Sequence, residues 1–124
     1  MPVIRATDTV VHELHGVHFT SYAAPARGSR ELCAWRIDIP AGTDGVAHRV
    51  SREEVVYVLS GSLEAVIDDE PCHATAGDVL LVPAGSVLSI STPASTPLTA
   101  WVSTSAGIGA VLPDGSWLTP PWAS

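Results

Sequence analysis

Residues 42–61, which read GTDGVAHRVSREEVVYVLSG, decide the fold. They combine a glycine turn, one histidine (His48), two adjacent glutamates (Glu53 and Glu54) and an apolar strand. Residues 54–59 (EVVYVL) carry apolar side chains at successive positions after Glu54, so a strand there presents apolar groups on both of its faces. We therefore predict that each face of this strand is covered, by a second sheet or by another subunit.

A second stretch, residues 77–88 (GDVLLVPAGSVL), also begins with a glycine, which is followed by an apolar strand and a turn. The rest of the chain consists of short apolar runs separated by turn residues, with no helical periodicity. Short strands at spacings of about eight to twelve residues are typical of a β-sandwich or barrel. About ten strands are expected, and the candidate ranges are residues 17–24, 32–39, 46–50, 54–59, 63–67, 72–75, 79–82, 87–91, 98–103, 108–112 and 116–119.

The composition narrows the class of protein and of partner. With 124 residues and 46% hydrophobic residues, the chain is long enough for one domain with a real core. The formal net charge of -7 and the absence of lysine disfavour a nucleic-acid partner, because phosphate contacts need a basic surface. The sequence also has no Asn or Gln, so amide side chains cannot serve as ligands or oxyanion donors.

Location and redox state are predicted from the N-terminus and the cysteines. Residues 1–16 carry charge early and lack a continuous apolar core, which argues against a signal peptide. No apolar run approaches the length of a membrane span. We expect a cytoplasmic protein in which Cys33 and Cys72 are unpaired, buried thiols rather than a disulfide.

The first stretch resembles the first sequence motif of the cupin superfamily. That motif is a Gly, five residues, His-x-His, three or four residues, a Glu, six residues and a Gly. Gly42, His48, Glu54 and Gly61 fall at those positions. Val50 occupies the place of the second histidine.

The second stretch resembles the second cupin motif, which is a Gly, five residues, Pro-x-Gly, two residues, a His, three residues and an Asn. Gly77, Pro83 and Gly85 match it. Leu88 replaces the histidine and Thr92 replaces the asparagine. Two motifs with matching glycines and spacing make the resemblance specific.

The resemblance covers about residues 32–103 and implies an all-β fold, the double-stranded β-helix or jelly-roll barrel of the cupins. We expect a single cupin domain over residues 1–124. Its core barrel would span about 32–103, with N-terminal strands in 1–24 and a C-terminal tail in 104–124 packing on it. Small cupins commonly pair, and with the two apolar faces of residues 54–59 this predicts a homodimer.

In the family, the two histidines and the glutamate of the first motif and the histidine of the second usually hold one divalent metal ion. Here Val50 and Leu88 have no lone pair to donate, which leaves His48 and Glu54. A catalytic metal site normally keeps three protein ligands. We therefore favour a function without a cofactor. The alternative is a metal-dependent cupin (Zn, Fe, Mn or Ni) whose ligand set is completed by His73 or by a substrate.

The N-terminal histidines are weaker candidates for a metal site. His12, His15 and His18 recur every third residue, which would place them along one side of a helix. Gly16 and the β-branched neighbours argue against a helix there. We therefore interpret these histidines as facing solvent.

His48 and Glu54 are the predicted catalytic residues. Histidine titrates near neutral pH, and desolvation raises the pKa of a carboxyl in an apolar site. Such a pair can move protons on a small organic molecule without a metal. Val50 and Leu88 would make the site drier and strengthen this effect. The alternative is that the two polar residues are remnants of the family's metal site.

The substrate-binding residues are predicted from strand alternation and from the motif positions. In residues 32–39 the odd positions should face the core, which places Trp35 beside the pocket. We predict that Trp35, Val50, Leu88 and Trp101 contact the substrate.

The function that we favour is a metal-independent isomerase, cyclase, dehydratase or lyase acting on an apolar secondary metabolite. The resemblance includes metal-free and zinc cupins that tailor polyketides. The Arg-only, Ala/Val/Pro-rich composition suggests a high-GC genome, in which such pathways are common. Two alternatives remain: a non-catalytic cupin that binds or senses a small-molecule ligand, and a metal-dependent oxygenase.

Overall fold

The structure, a computed structural model, describes residues 3–124; Met1 and Pro2, which begin the predicted N-terminal segment, lie outside the described residues. Short 3-10 helices lie at Ala6–Asp8, Pro25–Arg27 and Pro121–Ala123. The strands of the described range are β1 (Val10–Leu14), β2 (Val17–Ala23), β3 (Leu32–Ile39), β4 (His48–Val50), β5 (Glu54–Ser60), β6 (Ser62–Ile67), β7 (Glu70–Thr75), β8 (Val79–Val82), β9 (Val87–Ser91), β10 (Leu98–Ser105), β11 (Ala110–Val111) and β12 (Trp117–Leu118). None of the helices within residues 3–124 has the length and apolar character needed to cross a membrane.

The strands form two six-stranded antiparallel sheets, which confirms the predicted all-β jelly-roll fold. One sheet has the order β1-β2-β3-β10-β5-β8 and the other the order β12-β11-β4-β9-β6-β7. The strands of the first motif, β4 and β5, belong to different sheets, and so do the strands of the second motif, β8 and β9. Each motif therefore supplies side chains to both walls of the barrel.

The predicted strands differ from the observed ones mainly at two loops. The predicted strand 46–50 begins only at His48, because the preceding loop is tied to β9: the backbone N–H of Gly45 donates to the hydroxyl of Ser91 at 2.8 Å. The predicted strand 108–112 shrinks to Ala110–Val111, because the N–H of Gly109 donates to the hydroxyl of Ser51 instead of to a strand. Side-chain hydrogen bonds that replace a strand ladder leave no periodic signal in the sequence.

Inward-facing side chains of both sheets form one apolar core. Cys33, Trp35 and Ile39 of β3 are at most 5% exposed, whereas Leu32 is 66% exposed, so the predicted alternation of this strand is confirmed. Part of the barrel interior is filled by fully or nearly fully buried aliphatic side chains, among them Val58, Leu63, Leu80, Val82 and Leu98. The remaining interior is an open cavity.

The outer faces of β5 and β8 carry a row of exposed apolar side chains. The outward residues of β5 and β8 are between 36% and 56% exposed, and they are Val55, Tyr57, Leu59, Val79 and Leu81. The second sheet therefore covers only the inner face of β5. Residues 3–124 do not supply the predicted covering of its other face.

The two cysteines are free thiols, Cys33 buried and Cys72 partly buried. Burial raises the pKa of the Cys33 thiol. The thiol of Cys33 contacts the C-terminal tail, where it donates to the backbone oxygen of Ala123 at 3.4 Å. It therefore packs as a buried hydrophobic residue with one weak hydrogen bond.

Residue 61 must be glycine for two reasons, its left-handed backbone conformation and the lack of room for a Cβ atom. Its φ is +79°, and a Cβ there would lie 2.0 Å from the backbone oxygen of Pro97. Gly77 offers a matched control, since its φ is +95° but a Cβ would meet no heavy atom within 4 Å. The two glycines therefore share the left-handed backbone and differ in the steric contact.

We predict that Gly61→Ala destabilises the fold much more than Gly77→Ala. Left-handed strain alone should cost Gly77→Ala about 1–2 kcal/mol. Gly61→Ala adds a clash with backbone and should cost on the order of 4 kcal/mol or prevent folding. Urea unfolding of both variants measures the difference. Equal losses of stability would contradict the close approach of the loop before β10 to Gly61.

Candidate active site

The barrel encloses a cavity of about 590 Å³ that is lined mainly by apolar side chains. Its inner walls include Ile37, Val56 and Val102, and its rim includes exposed residues of three loops, among them Asp44 and Asp114. A cavity of this size is typical of a small-molecule site. Because the inner walls are apolar, a polar side chain in the interior lies in a poorly hydrated environment.

Glu54 is the buried ionisable residue of this cavity. It begins β5, where it pairs with Thr104 of β10 and Val82 of β8, and it is only 8% exposed. The neighbouring hydroxyl of Thr104 donates to the backbone oxygen of Glu53 at 2.7 Å, so it does not serve the Glu54 carboxyl. Burial raises the pKa of Glu54 from 4.5 to about 7, with no hydrogen bond or nearby charge to oppose it.

His48 lines the opposite sheet of the cavity. Its Nδ1–H donates to the backbone oxygen of Val46 at 2.9 Å, which leaves Nε2 as the acceptor of the neutral ring. The imidazole does not hydrogen-bond to the Glu54 carboxyl, whose pKa is shifted by desolvation alone. The two residues therefore face one cavity as separate groups rather than as a bonded pair.

Thr92, which replaces the motif asparagine, holds the loop that leads to His48. Its hydroxyl donates to the backbone oxygen of Pro40 at 2.6 Å and accepts from the N–H of Thr43 at 2.9 Å. Thr92 is itself buried. The β9 end and the β3–β4 loop are thereby fixed to each other, which sets the start of β4.

Val50 and Leu88 occupy the other two motif positions at the cavity wall. Each is 2% exposed, and Leu88 lies directly opposite His48 in the β4–β9 ladder. Within residues 3–124 no three His, Cys, Asp or Glu side chains come close enough to form a metal site. The donors present, His48 and Glu54, therefore do not fit the divalent metal that the family usually holds.

The third ligand considered for a metal-dependent site, His73, does not reach the cavity. It lies on β7, where its Nδ1 is 2.6 Å from a carboxylate oxygen of Glu64, and its side chain is 53% exposed. Glu53, the neighbour of Glu54, is exposed, because successive side chains of a strand point to opposite faces. The proposed completion of a metal site by His73 is therefore wrong.

Trp35 lines the cavity but Trp101 does not. On β10 the buried positions are Leu98, Ala100, Val102 and Thr104, so Trp101 points to the outer face of the sheet. There it packs against Tyr22, with ring centroids 5.1 Å apart. The prediction that Trp101 contacts the substrate is wrong, because its side chain lies on the opposite face of β10 from the inward residues.

The C-terminal tail supplies an aromatic wall that the sequence did not reveal. The ring of Trp122 stacks on Phe19, with centroids 3.7 Å apart and planes at 6°, and it meets Trp35 edge-on at 6.5 Å. The tail is held in place because the hydroxyl of Ser21 donates to the backbone oxygen of Trp122 at 2.7 Å. The sequence predicts that this tail packs on the barrel, but not that its tryptophan forms part of the cavity wall.

His15 is another cavity-lining residue that the sequence did not identify as such. It sits at the tip of the β1–β2 hairpin with φ of 52°, next to Gly16 with φ of 81°. Two positive φ values are characteristic of a two-residue hairpin turn. The turn brings His15 to the rim of the cavity, although its side chain is exposed as predicted.

We predict that Glu54 makes stability fall with rising pH. Its folded pKa of about 7 lies above its ordinary value of 4.5, so the folded state holds the proton more tightly and loses this advantage as pH rises from 4.5 to 7. The loss should be about 3 kcal/mol, since each tenfold difference in acidity is worth about 1.4 kcal/mol. Denaturant unfolding across this range, compared between wild type and Glu54→Gln, measures it.

The control for this prediction is Glu53→Gln, which changes the adjacent, exposed carboxyl. The difference in unfolding free energy between wild type and Glu54→Gln should depend on pH, and the difference for Glu53→Gln should not. A pH-independent difference for Glu54→Gln would show that its carboxyl titrates normally.

Comparison with known proteins places the chain in a family. The family profile described as "Cupin domain" matches residues 35–103. The chain is 35% identical over 65 residues to a 1-hydroxy-2-naphthoate 1,2-dioxygenase of a Nocardioides species. That match covers 50% of this chain and only 17% of the relative.

Solved structures show the same fold. The polyketide cyclase RemF from Streptomyces resistomycificus superposes with a TM-score of 0.75 at 16% identity, covering 85% of this chain and 79% of that one. An RmlC-like cupin from Shewanella frigidimarina gives a TM-score of 0.73 at 22% identity, covering 85% and 90% of the two chains. The profile match, the two motifs and the jelly-roll topology together show that the chain belongs to the cupin family.

Proposed function

We propose that this cupin is a metal-independent acid–base enzyme that moves protons on an apolar small molecule in the barrel cavity. The observation that carries the proposal is the unpartnered, buried carboxyl of Glu54, whose pKa of about 7 lies near neutral pH. A group with such a pKa is present as both acid and base at neutral pH, which suits general acid–base catalysis. Perturbed carboxyls in apolar clefts are frequent at active sites.

The reaction class follows from what one carboxyl can do without a redox partner. The carboxylate of Glu54 removes a proton from a substrate carbon or hydroxyl, and the resulting acid returns that proton to another atom of the same molecule. Return to carbon completes an isomerisation, and return to a leaving hydroxyl releases water. His48, with Nε2 free to accept, serves as the second proton-transfer group.

Metal independence is part of the proposal and is supported by the donor set of the cavity. Val50 and Leu88 replace two ligands, and His73 bonds to Glu64 away from the cavity. A second candidate function is non-catalytic binding of an apolar ligand, which the mainly apolar lining favours. Both candidates use the same cavity and differ in whether Glu54 exchanges a proton with the ligand.

We also propose a homodimer, formed through the apolar row of β5 and β8 that comprises Val55, Tyr57, Leu59, Val79 and Leu81. Monomers rarely expose a contiguous apolar patch beyond a few hundred Å². β8 is an edge strand, so the row extends to the margin of its sheet. A two-fold axis over this row would bury the patch of each copy against that of the other.

The two free thiols suit a reducing, cytoplasmic location.

We predict that the protein catalyses proton exchange on an apolar ketone. With 2-tetralone in D₂O as the probe, wild type should accelerate deuterium incorporation next to the carbonyl by on the order of 10²-fold over buffer, and proton NMR follows it. Glu54→Gln should lose the acceleration because the amide cannot accept the proton, and His48→Ala should reduce it.

The controls are Glu53→Gln and His73→Ala, which remove exposed groups of the same type and should exchange at the wild-type rate. Exchange by Glu54→Gln at the wild-type rate would contradict the acid–base role. A wild-type protein that binds the ketone without accelerating exchange would favour the non-catalytic candidate.

We predict that Tyr57→Arg combined with Leu81→Arg yields a monomer, because two buried cations per copy would oppose association. Sedimentation velocity should show a dimer for wild type. Val66→Arg, a control on an exposed valine of the other sheet, should remain dimeric. A monomeric wild type, or a double variant that stays dimeric, would contradict this interface.

A further inference from the structure

None of the described residues that line the cavity is an arginine or a lysine, the side chains that usually bind an anionic ligand. The chain has no lysine, and its six basic residues are arginines at positions 5, 27, 30, 36, 49 and 52. All six lie within the described residues, and none of them lines the cavity. Arg36 is paired with Asp38 on the outer face of β3, at 3.0 Å. Molecules with a carboxylate are usually recognised by a guanidinium or ammonium group, which forms charge-assisted hydrogen bonds.

The ionisable groups that do line the cavity are acidic or imidazole. Glu54 lies in the interior, and Asp44 and Asp114 lie at the rim together with His15 and His48. The hydroxyl and then the backbone N–H of Ser116 hydrogen-bond to Asp114 and lower the pKa of its carboxyl. A ligand that enters therefore passes an ionised aspartate before it reaches the Glu54 carboxyl.

The carboxyl of Glu54 is the ionisable group that the interior offers to a ligand, and the buried Nε1–H of Trp35, another lining residue, also has no hydrogen-bond partner among the described residues. The Glu54 carboxyl accepts no hydrogen bond from the described residues, so it can still form one with a ligand. The surrounding walls are apolar: Val50, Val56 and Leu88 are each at most 2% exposed. A buried polar group without a partner is costly, and a ligand that pairs with it recovers that cost.

Resting on the function proposed above, we infer that the ligand of this cavity is an uncharged, largely apolar molecule that presents a hydroxyl or carbonyl oxygen to Glu54, and that carboxylate-bearing molecules are rejected. A carbonyl accepts a hydrogen bond from the protonated acid, and a hydroxyl donates to the carboxylate, so either form of Glu54 is satisfied. A carboxylate would be desolvated beside a second carboxyl, with no arginine or lysine in the described lining to compensate its charge.

The test uses a pair of probes with the same ring system, 2-naphthol and 2-naphthoate. Binding is measured by isothermal titration calorimetry at about pH 8, where Glu54 is mostly ionised. We expect wild type to bind 2-naphthol at least about tenfold more tightly than 2-naphthoate, because two carboxylates would share one apolar cavity. Glu54→Gln should narrow this preference, since the amide carries no charge, and Glu53→Gln should leave it unchanged.

Three results would overturn the inference: equal or tighter binding of 2-naphthoate by wild type, an unchanged preference in Glu54→Gln, or no measurable binding of 2-naphthol. These outcomes are separate from the proton-exchange experiment. A protein that prefers the naphthol but exchanges no proton retains this ligand class and loses only the acid–base function. A protein that exchanges protons but binds the naphthoate more tightly retains the function and loses the ligand class.

Discussion

The alternation of side chains along the strands of the two sheets is the constraint on which the cavity depends. It turns Trp35 and Glu54 inward from one sheet and His48 and Leu88 inward from the other. A slip of one residue in β5 would place Glu53 inside and Glu54 in solvent. It would also turn the outward-facing Val55, Tyr57 and Leu59 toward the interior. The glycine turns that fix the register therefore also fix the chemistry of the interior.

Within this interior, Glu54 is held at an energetic cost. Its carboxyl is desolvated, the hydroxyl of Thr104 on the neighbouring strand donates to the backbone of Glu53, and the imidazole of His48 bonds elsewhere. Val50 and Leu88 place apolar surface at two motif positions, and among the described residues no salt bridge compensates the charge of Glu54. The same replacement that removes the family's metal donors therefore raises the pKa of the remaining carboxyl toward neutrality.

Much of the fold was predictable because its signals are local. The glycines at positions 42, 61, 77 and 85 and the spacing between them identify the turns that join the two sheets. In the structure each of these glycines has a positive φ. The cavity was less predictable. β10 is apolar on both faces near Trp101, so its parity could not be read from the pattern, and the wall formed by Trp122 arises from contacts with residues about a hundred positions earlier in the chain.

The most direct test of this account is the titration of Glu54 itself. Carbon-13 NMR of the glutamate side-chain carboxyls, with the Glu54 resonance assigned by its loss in Glu54→Gln, gives the midpoint for this one group. We predict a midpoint of about 7, raised by desolvation. A midpoint at the ordinary value of 4.5 would contradict it, because the carboxyl would then be hydrated and the cavity would not supply a neutral-pH acid and base.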